Sequence, residues 1–141
     1  MTCSFFGHRD CPEAVKPGIK AIIEELILNK NAIIFYVGNN GNFDGYVYDI
    51  LKELKIKYPF ISYAVVLAYH PKEALFIDPS DTILPGGIEN VPKRFAISYR
   101  NKWMIDKSDC VIVYVRRSYG GAARFFEMAK KKKKLCINLF E

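Results

Sequence analysis

Short runs of apolar residues alternate along the chain with segments in which apolar residues recur every three or four positions. The runs have the length of buried strands and lie at 2–6, 32–37, 61–68, 110–115 and 135–140. The segments between them have the spacing of amphipathic helices, as at 19–27, 43–54, 95–103 and 122–133. This alternation predicts an α/β fold: a Rossmann-like, three-layer domain with a mostly parallel sheet and helices on both faces.

Local signals mark several helix boundaries. Asp10 followed by Glu13 resembles a capping box at the start of the first helix. Pro17 then either kinks that helix or restarts it. Asn42 is a suitable cap for the second helix, because its side-chain oxygen can accept a hydrogen bond from a backbone N–H.

Residues 72–92 follow neither pattern. They are rich in proline, contain the pair Gly86-Gly87 and hold only a weak strand candidate at 82–84. We expect a long loop here, which could form part of a lid. No linker, internal repeat or shift in composition divides the chain, so the sequence predicts one domain over 1–141.

The charge of the chain changes this picture only slightly. Half of the residues are hydrophobic and the formal charge is +6, which suggests an anionic partner. Much of that charge comes from the lysine run 130–134, at the end of the last predicted helix. Cations there complement the helix dipole in water, and no aromatic residues are interleaved with them. This favours a solvated face over a nucleic-acid interface.

The sequence predicts neither a membrane protein nor a metalloprotein. No apolar run has the length of a membrane span, and the first residues do not resemble a signal peptide, so we expect a cytoplasmic protein. The four cysteines lack CxxC spacing and are expected as structural thiols. His8 and His70 follow different strands without a clustered third ligand, so no metal and no cofactor is predicted.

The loop after the first strand is the first candidate for ligand binding. Gly7 permits a tight turn and a close approach of a ligand to the backbone. Arg9 carries a planar donor fork that suits phosphate. His8 lies between them and would equally serve as a strand cap. For this tripeptide alone, an ordinary loop with an exposed arginine stays the alternative.

A second, glycine-rich loop leads into the second helix. Its candidate ligand-binding residues are Gly38, Asn39, Asn40 and Gly41. Free backbone N–H groups at a helix start form an anion site, which favours phosphate or ribose contact over a plain turn. The loop lacks the lysine of a P-loop and the full GxGxxG spacing. Asp44 either stabilises the helix start or hydrogen-bonds a ribose hydroxyl.

Two later segments complete the candidate site. The loop before the last helix repeats the pattern of hydroxyl, glycines and small residues, and it supplies Arg117, Ser118, Gly120, Gly121 and Ala122. Phosphate binding is favoured at this helix start. The preceding helix supplies Arg100, Asn101 and Met104. Arg100 and Met104 share a helix face; the structural alternative pairs the arginine with a carboxylate and buries the methionine.

In this order, the segments resemble the SLOG superfamily and, within it, the small standalone bacterial proteins. The resemblance rests on 6–9, 41–44, 57–59, 100–106, 108–109 and 118–123. It spans nearly the whole chain apart from the loop at 72–92. It implies a Rossmann-like sheet with a nucleotide-type pocket along these loops, and it suggests a homodimer.

The superfamily includes the Lonely Guy phosphoribohydrolases, which cut the glycosidic bond of nucleoside monophosphates. Their Arg-Lys-x-x-Met segment is similar to residues 100–104, with Asn in place of Lys. Residues 120–121 match the paired glycines of their Pro-Gly-Gly-x-Gly-Thr-x-x-Glu loop, but Ala-Arg at 123–124 replaces Gly-Thr. Glu127 is the candidate for the acidic residue of that loop.

Three functions stay open at this point. The first is a binding module, a sensor, carrier or sequestering protein for a nucleotide or nucleotide-derived ligand at the carboxyl ends of the parallel strands. The second is a phosphoribohydrolase, with Glu127 and Asp44 as candidate catalytic residues, because positive charge developing on the ribose needs a carboxylate. The third is a nucleic-acid or protein partner module that uses the lysine run. Phosphate-binding loops without a clear acid–base pair favour the first.

Overall fold

The structure is a computed structural model that describes residues 1–70 and 77–140. Its strands are β1 (Thr2–Gly7), β2 (Ile34–Val37), β3 (Ser62–Val66), β4 (Thr82–Ile83), β5 (Cys110–Tyr114) and β6 (Leu135–Asn138). Its helices are α1 (Lys16–Lys30), α2 (Asn42–Lys57), α3 (Lys93–Lys107) and α4 (Gly121–Lys131). The connections contain one-turn 3₁₀ helices at Glu13–Val15, Pro79–Asp81 and Ile88–Asn90.

The strands form one sheet in the order β4-β3-β2-β1-β5-β6, and its pairings are parallel. From β1 the chain builds outward through β2, β3 and β4, and then returns to the other side of β1 with β5 and β6. Such a reversal leaves a crevice beside the carboxyl ends of β1 and β5. The predicted Rossmann-like α/β sheet is confirmed, and so is the weak strand candidate at 82–84, which pairs with β3.

Helices cover both faces of the sheet, as predicted. Phe5 packs on the side of α1 and α2, whereas its neighbour Phe6 packs on the side of α3 and α4. β5 is buried along its whole length. A strand that is covered on both faces carries apolar residues at every position, which explains why these strands are continuous apolar runs in the sequence.

Two of the predicted helix starts are wrong. Asp10 and Glu13 do not form a capping box, since α1 begins after both of them and Asp10 forms ion pairs elsewhere. Pro17 lies in the first turn of α1, so the predicted restart is correct. The N-cap of α2 is Gly41, and Asn42 is the first residue of the helix. Gly41 has a φ of 93°, which residues with a side chain rarely adopt, so a glycine suits this position.

The segment predicted as a long loop contains short elements. Residues 72–76, and with them part of the expected lid, lie outside the described residues. Between 77 and 92 the chain forms two one-turn 3₁₀ helices on either side of β4. The Tyr99 hydroxyl of α3 donates a hydrogen bond to the carbonyl of Gly86 at 2.6 Å, which ties this segment to the helix that follows it.

The cysteines are free thiols, as expected. Cys3, Cys11 and Cys110 are buried, and Cys136 is partly buried. Cys3 and Cys110 lie opposite each other on β1 and β5. They serve as small apolar residues in the core.

The lysine run lies at the carboxyl end of α4 and continues beyond it. Lys130 pairs with Glu127 at 2.7 Å, and Lys132 pairs with Asp106 of α3. Because α4 starts at the carboxyl edge of the sheet, these cations lie toward the opposite edge from the crevice. In the described part of the chain, no helix has the length and apolar character needed to cross a membrane.

Candidate functional site

A cleft of about 400 Å³ lies at the carboxyl ends of β1 and β5, where the order of the sheet reverses. It is bordered by the loops after β1, β2 and β5, by one side of α3 and by the first turn of α4. The candidate residues that line it are Gly7, His8, Arg9, Gly38, Asn40, Asp44, Arg100, Asn101, Arg117, Gly120, Gly121 and Ala122. Most of the residues selected from the sequence therefore meet in one place.

Four other candidate residues lie outside the cleft lining. Asn39 lines a neighbouring cavity, and Gly41 lines another that lies beside α2. Met104 is fully buried in the core beneath α3, which is the structural alternative for that residue. Ser118 is exposed on the loop before α4.

Glu127, the candidate acid, is not at the cleft either. It lies six residues into α4, about 9 Å along the helix axis from its start. Its side chain is exposed and pairs with Lys130. The sequence motif predicts Glu127 as an acidic residue of the site only through an approximate spacing. Its position on α4 places it away from the cleft. Asp44 is therefore the candidate carboxylate that reaches the cleft.

Arg100 is a buried cation in the wall of the cleft, with only 1% of the residue exposed. Its Nη1 donates to the carbonyl of Val66 at 2.7 Å and to Oδ1 of Asn39 at 3.3 Å. Its Nε donates to Oδ1 of Asn101 at 2.6 Å. Within residues 1–70 and 77–140 it forms no ion pair, and its Nη2 has no hydrogen-bond partner. The ion pair of the structural alternative is thus not formed among these residues, and the guanidinium is available to an anion in the cleft.

Asp44 lies near Arg100, with Gly38 between them. A side chain at position 38 would begin 3.0 Å from Oδ2 of Asp44 and 3.0 Å from Nη1 of Arg100, so a glycine leaves room for both groups. The N–H of Asn40 donates to Oδ2 of Asp44 at 2.9 Å. Burial raises the pKa of Asp44 to about 6, although that N–H and the charges of Arg100 and Arg9 favour the ionised form. A carboxyl group that changes charge near neutral pH therefore lies beside a buried guanidinium.

The first turn of α4 contributes backbone N–H groups to the cleft. Gly120 precedes the helix with a φ of 97°, and the space where side chains of Gly120 and Gly121 would lie is open. No acidic residue occupies the first turn, and no side chain caps it. The N–H groups at this positive end of the helix are therefore free to bind an anion.

The loop after β1 is packed tightly against the start of α2. A side chain at position 7 would begin 2.2 Å from Cγ of Phe43, and one at position 41 would begin 2.6 Å from Cα of Arg9. The carbonyl of Arg9 accepts a hydrogen bond from the N–H of Asn42 at 2.9 Å. These contacts fix the backbone of Arg9 at the rim of the cleft, while the residue itself is exposed.

Gly7→Ala should destabilise the protein by about 1–3 kcal/mol, because the new methyl group overlaps the buried ring of Phe43. Urea denaturation measures the free energy of unfolding of both proteins. Gly45→Ala is the matched control: Gly45 lies within α2, nothing lies within 4 Å of a methyl group there, and alanine favours a helix. Equal losses of stability in the two variants would contradict the prediction.

His8 connects two of the loops that form the site. The backbone N–H of Arg116 donates to Nε2 of His8 at 3.0 Å. Because a backbone N–H can only donate, Nε2 carries no proton, and the ring is neutral with its proton on Nδ1. Burial and the charges of Arg117 and Arg116 lower the pKa of His8, which maintains this form. His8 thus connects the ends of two strands, as in the structural alternative, and it also lines the cleft.

Asp10 changes the expected role of the arginines before α4. Its carboxylate accepts hydrogen bonds from Nη2 of Arg116 at 2.5 Å and from Nη2 of Arg117 at 3.2 Å. The hydrogen bond from Arg117 is the main reason why the pKa of Asp10 lies below its usual value. Arg117 thus borders the cleft with its charge already partly matched. The sequence alone does not reveal these ion pairs, because the partners of Asp10 are more than 100 positions away along the chain.

A second cavity, of about 750 Å³, lies beyond the carboxyl end of β3. One of its lining residues, Asn39, accepts a hydrogen bond from Arg100 in the wall of the cleft. Ala68, Ile88 and Ala96 form a small buried apolar cluster at this cavity. Tyr69 also lines it and is about half exposed. No sequence motif identifies this cavity, because its residues come from a strand end, a loop and a helix face without a polar motif.

The fold is similar to that of DNA processing protein A from Streptococcus pneumoniae, with a TM-score of 0.68 and 16% sequence identity. The likeness covers 97% of this chain and 49% of that one, so this chain spans about half the length of the protein it matches. At this identity the likeness shows the shared Rossmann-like fold alone. No protein-family model matches the sequence, and no curated protein matches it significantly.

Proposed function

We propose that this protein binds the phosphate-bearing end of a nucleotide or nucleotide-derived ligand in the cleft, as a sensor, carrier or sequestering module. The observation that carries the proposal is Arg100, a buried guanidinium without an ion pair among the described residues and with a free Nη2. A buried charge costs considerable free energy unless a partner compensates it. An anion bound in the cleft would supply that partner.

Two further groups support a phosphate as the anion. The uncapped first turn of α4 offers backbone N–H donors and the positive end of a helix. Arg9 adds an exposed guanidinium at the rim. Hydrogen bonds from charged donors to phosphate are about twice as strong as those between neutral groups. Donors from three separate segments around one cleft match the several oxygens of a phosphate group.

Asp44 supports a sugar phosphate over inorganic phosphate. Its ionised carboxylate can only accept hydrogen bonds, whereas Arg100 can only donate them. A ribose hydroxyl can do both, because it donates to a carboxylate and accepts from a guanidinium. A ligand with hydroxyl groups beside its phosphate therefore matches this pair of residues, and a nucleotide is such a ligand.

Membership of the SLOG superfamily is part of the same proposal. The segments that carry the resemblance contribute Gly7, Arg9, Asp44, Arg100 and Gly120 to one cleft. The Rossmann-like fold and the place of the cleft at the reversal of strand order agree with the nucleotide-type pocket that the resemblance implies.

The test is a binding experiment with nucleoside mono- and diphosphates, cyclic nucleotides, ADP-ribose, ribose 5-phosphate and inorganic phosphate. Isothermal titration calorimetry gives the affinities, and chromatography of the mixtures shows whether the ligands stay intact. We expect at least one nucleotide to bind and to be recovered unchanged. An absence of binding across the whole panel would refute the proposal.

Arg100→Gln should weaken binding by about 10- to 100-fold, because it removes hydrogen bonds from a charged donor. Glutamine can still donate to the carbonyl of Val66, so the variant keeps a polar contact at that position. Arg94→Gln is the matched control, since Arg94 is exposed on the same helix and does not line the cleft. Circular dichroism and thermal unfolding verify that both variants fold. Unchanged affinity in a folded Arg100→Gln protein would exclude this cleft as the phosphate site.

Asp44 also supports a second candidate function, hydrolysis of the glycosidic bond of a nucleoside monophosphate. A pKa of about 6 is close to that of an efficient general acid or base at neutral pH. In that case the panel would release free base, and Asp44→Asn would abolish the release. Loss of release in Glu127→Gln instead would be inconsistent with the position of that residue on α4.

A further inference from the structure

We propose that the cavity beyond β3 binds the aromatic base of the same ligand, so that the preferred ligand is a nucleotide rather than a sugar phosphate. This inference rests on the proposed function, because it places the phosphate end in the cleft. The cavity measures about 750 Å³, which is within the usual range for small-molecule sites.

The walls of the cavity have the character that a flat aromatic ring requires. Ala68 and Ala96 are 5% and 2% exposed, and these small side chains leave the space between strand end and helix unfilled. Ile88 adds an apolar wall from the opposite segment. Tyr69 is 46% exposed at the rim, and Nζ of Lys93 lies 5.4 Å from the centre of its ring. An exposed tyrosine beside an apolar cavity is a surface on which a base can stack.

Polar side chains are a minority among the described residues that line the cavity. Asn39 and Glu89 line the cavity and offer an amide and a carboxylate. Mostly apolar walls with a small number of polar groups are typical of sites for small organic ligands. Among the described residues, Lys93 and His70 also line the cavity, but no arginine does, so its chemistry differs from that of the cleft.

The wall opposite β3 is held in place by specific contacts. Gly87 has a φ of 82°, in the left-handed region, and a side chain there would begin 3.1 Å from the Tyr99 hydroxyl. That hydroxyl donates to the carbonyl of Gly86 at 2.6 Å. The wall is therefore formed before any ligand arrives, which reduces the ordering cost of binding.

One hydrogen bond connects the wall of the cavity with the wall of the cleft. Asn39 lines the cavity, and its Oδ1 accepts from Nη1 of Arg100, which lines the cleft. The cleft lies at the ends of β1 and β5, and the cavity lies at the end of β3, two to three strand positions away. Two to three strand spacings amount to about 10–14 Å. This is of the order of the separation between phosphate and base in an extended nucleotide, so one ligand can occupy both sites.

The test compares the affinities of AMP, GMP, CMP and UMP with that of ribose 5-phosphate, measured by calorimetry on the whole protein. We expect at least one nucleotide to bind about 5- to 100-fold more tightly than ribose 5-phosphate, the usual contribution of a stacked base. Tyr69→Ala should reduce that preference while the affinity for ribose 5-phosphate stays the same. Ala96→Leu should do the same by filling the cavity.

The control is Phe60→Ala, which truncates an exposed aromatic side chain before β3, at the opposite edge of the sheet. Tyr69 is half exposed, so Tyr69→Ala should fold even if Ala96→Leu does not. Equal affinities for ribose 5-phosphate and all four nucleotides would overturn this inference and leave the phosphate site intact. So would a base preference that survives Tyr69→Ala. If none of these ligands binds, both this inference and the proposed function are wrong.

Discussion

Gly121→Asp should abolish the binding of phosphorylated ligands and leave the protein at least as stable as before. Gly121 is the first residue of α4, and nothing lies within 4 Å of the position of a new side chain. A carboxylate at a helix start interacts favourably with the helix dipole, which is worth about 0.3–1 kcal/mol. The same carboxylate occupies the place of the phosphate and repels it. Repulsion between like charges at a binding site costs several kcal/mol, so we expect affinity to fall by about 100-fold or more.

Gly18→Asp is the matched control for this experiment. Gly18 lies in the first turn of α1, it is exposed, and the space around it is equally open. The substitution makes the same chemical change at another helix start, outside the cleft. Calorimetry with the tightest nucleotide and thermal unfolding should show similar stabilities for the two variants and a loss of binding in Gly121→Asp alone. Retained binding in Gly121→Asp would mean that the anion does not lie at the start of α4.

Asp44→Asn should stabilise the protein at alkaline pH and have little effect in acid. Asp44 ionises near 3.8 in an unfolded chain, but burial raises its pKa to about 6 in the native protein. Native Asp44 therefore holds its proton more tightly, so the contribution of Asp44 to the stability of the wild type is full below pH 4 and is lost as pH rises through 6. A difference of about two pKa units corresponds to about 3 kcal/mol. Asparagine does not ionise, and its Oδ1 can still accept the N–H of Asn40.

Urea denaturation between pH 4 and pH 8 measures this effect. The stability curves of wild type and Asp44→Asn should approach each other in acid and separate by about 3 kcal/mol at pH 8. Asp49→Asn makes the same chemical change at an exposed position of the same helix and is the control variant. Curves for Asp44→Asn and wild type that remain parallel over this range would show that Asp44 ionises as an exposed carboxyl group does.

These two experiments connect stability with the site. The cleft contains groups that lower the stability of the native protein. They are a buried guanidinium, a buried carboxyl group and an uncapped helix start. Such features are typical of binding sites, where stabilising substitutions remove function. We therefore expect Asp44→Asn to be more stable at pH 8 and to bind a nucleotide less tightly.

The sequence by itself determined the elements and the general position of the site. The apolar runs predict the strands because a strand covered on both faces needs apolar residues throughout, as β5 shows. The loops that follow parallel strands emerge at one edge of the sheet. Arg9, Gly38 and Gly120 could therefore be assigned to one site without coordinates, since each follows a predicted strand.

The pairing of individual groups was decided only by the tertiary structure. The sequence suggests a helix cap for Asp10, but its carboxylate pairs with Arg116 and Arg117, which are more than 100 positions away along the chain. His8 lines the cleft, and only the structure shows that its ring also accepts the N–H of Arg116. Glu127 looked like the acid of a loop motif, but α4 carries it away from the cleft. Periodicity reports only how a residue is placed within its own element, whereas ion pairs depend on distances between elements.

The same reason explains the features that no sequence pattern indicates. Gly38 lies in a loop between Asp44 of α2 and Arg100 of α3, so three separate segments meet at this point. The cavity at Ala68 and Ala96 is lined by two small side chains from distant segments of the chain. Burial, and with it the raised pKa of Asp44, arises only when these segments pack together. The sequence thus determined where the site is, and the packing of helices against the sheet determined what its groups can bind.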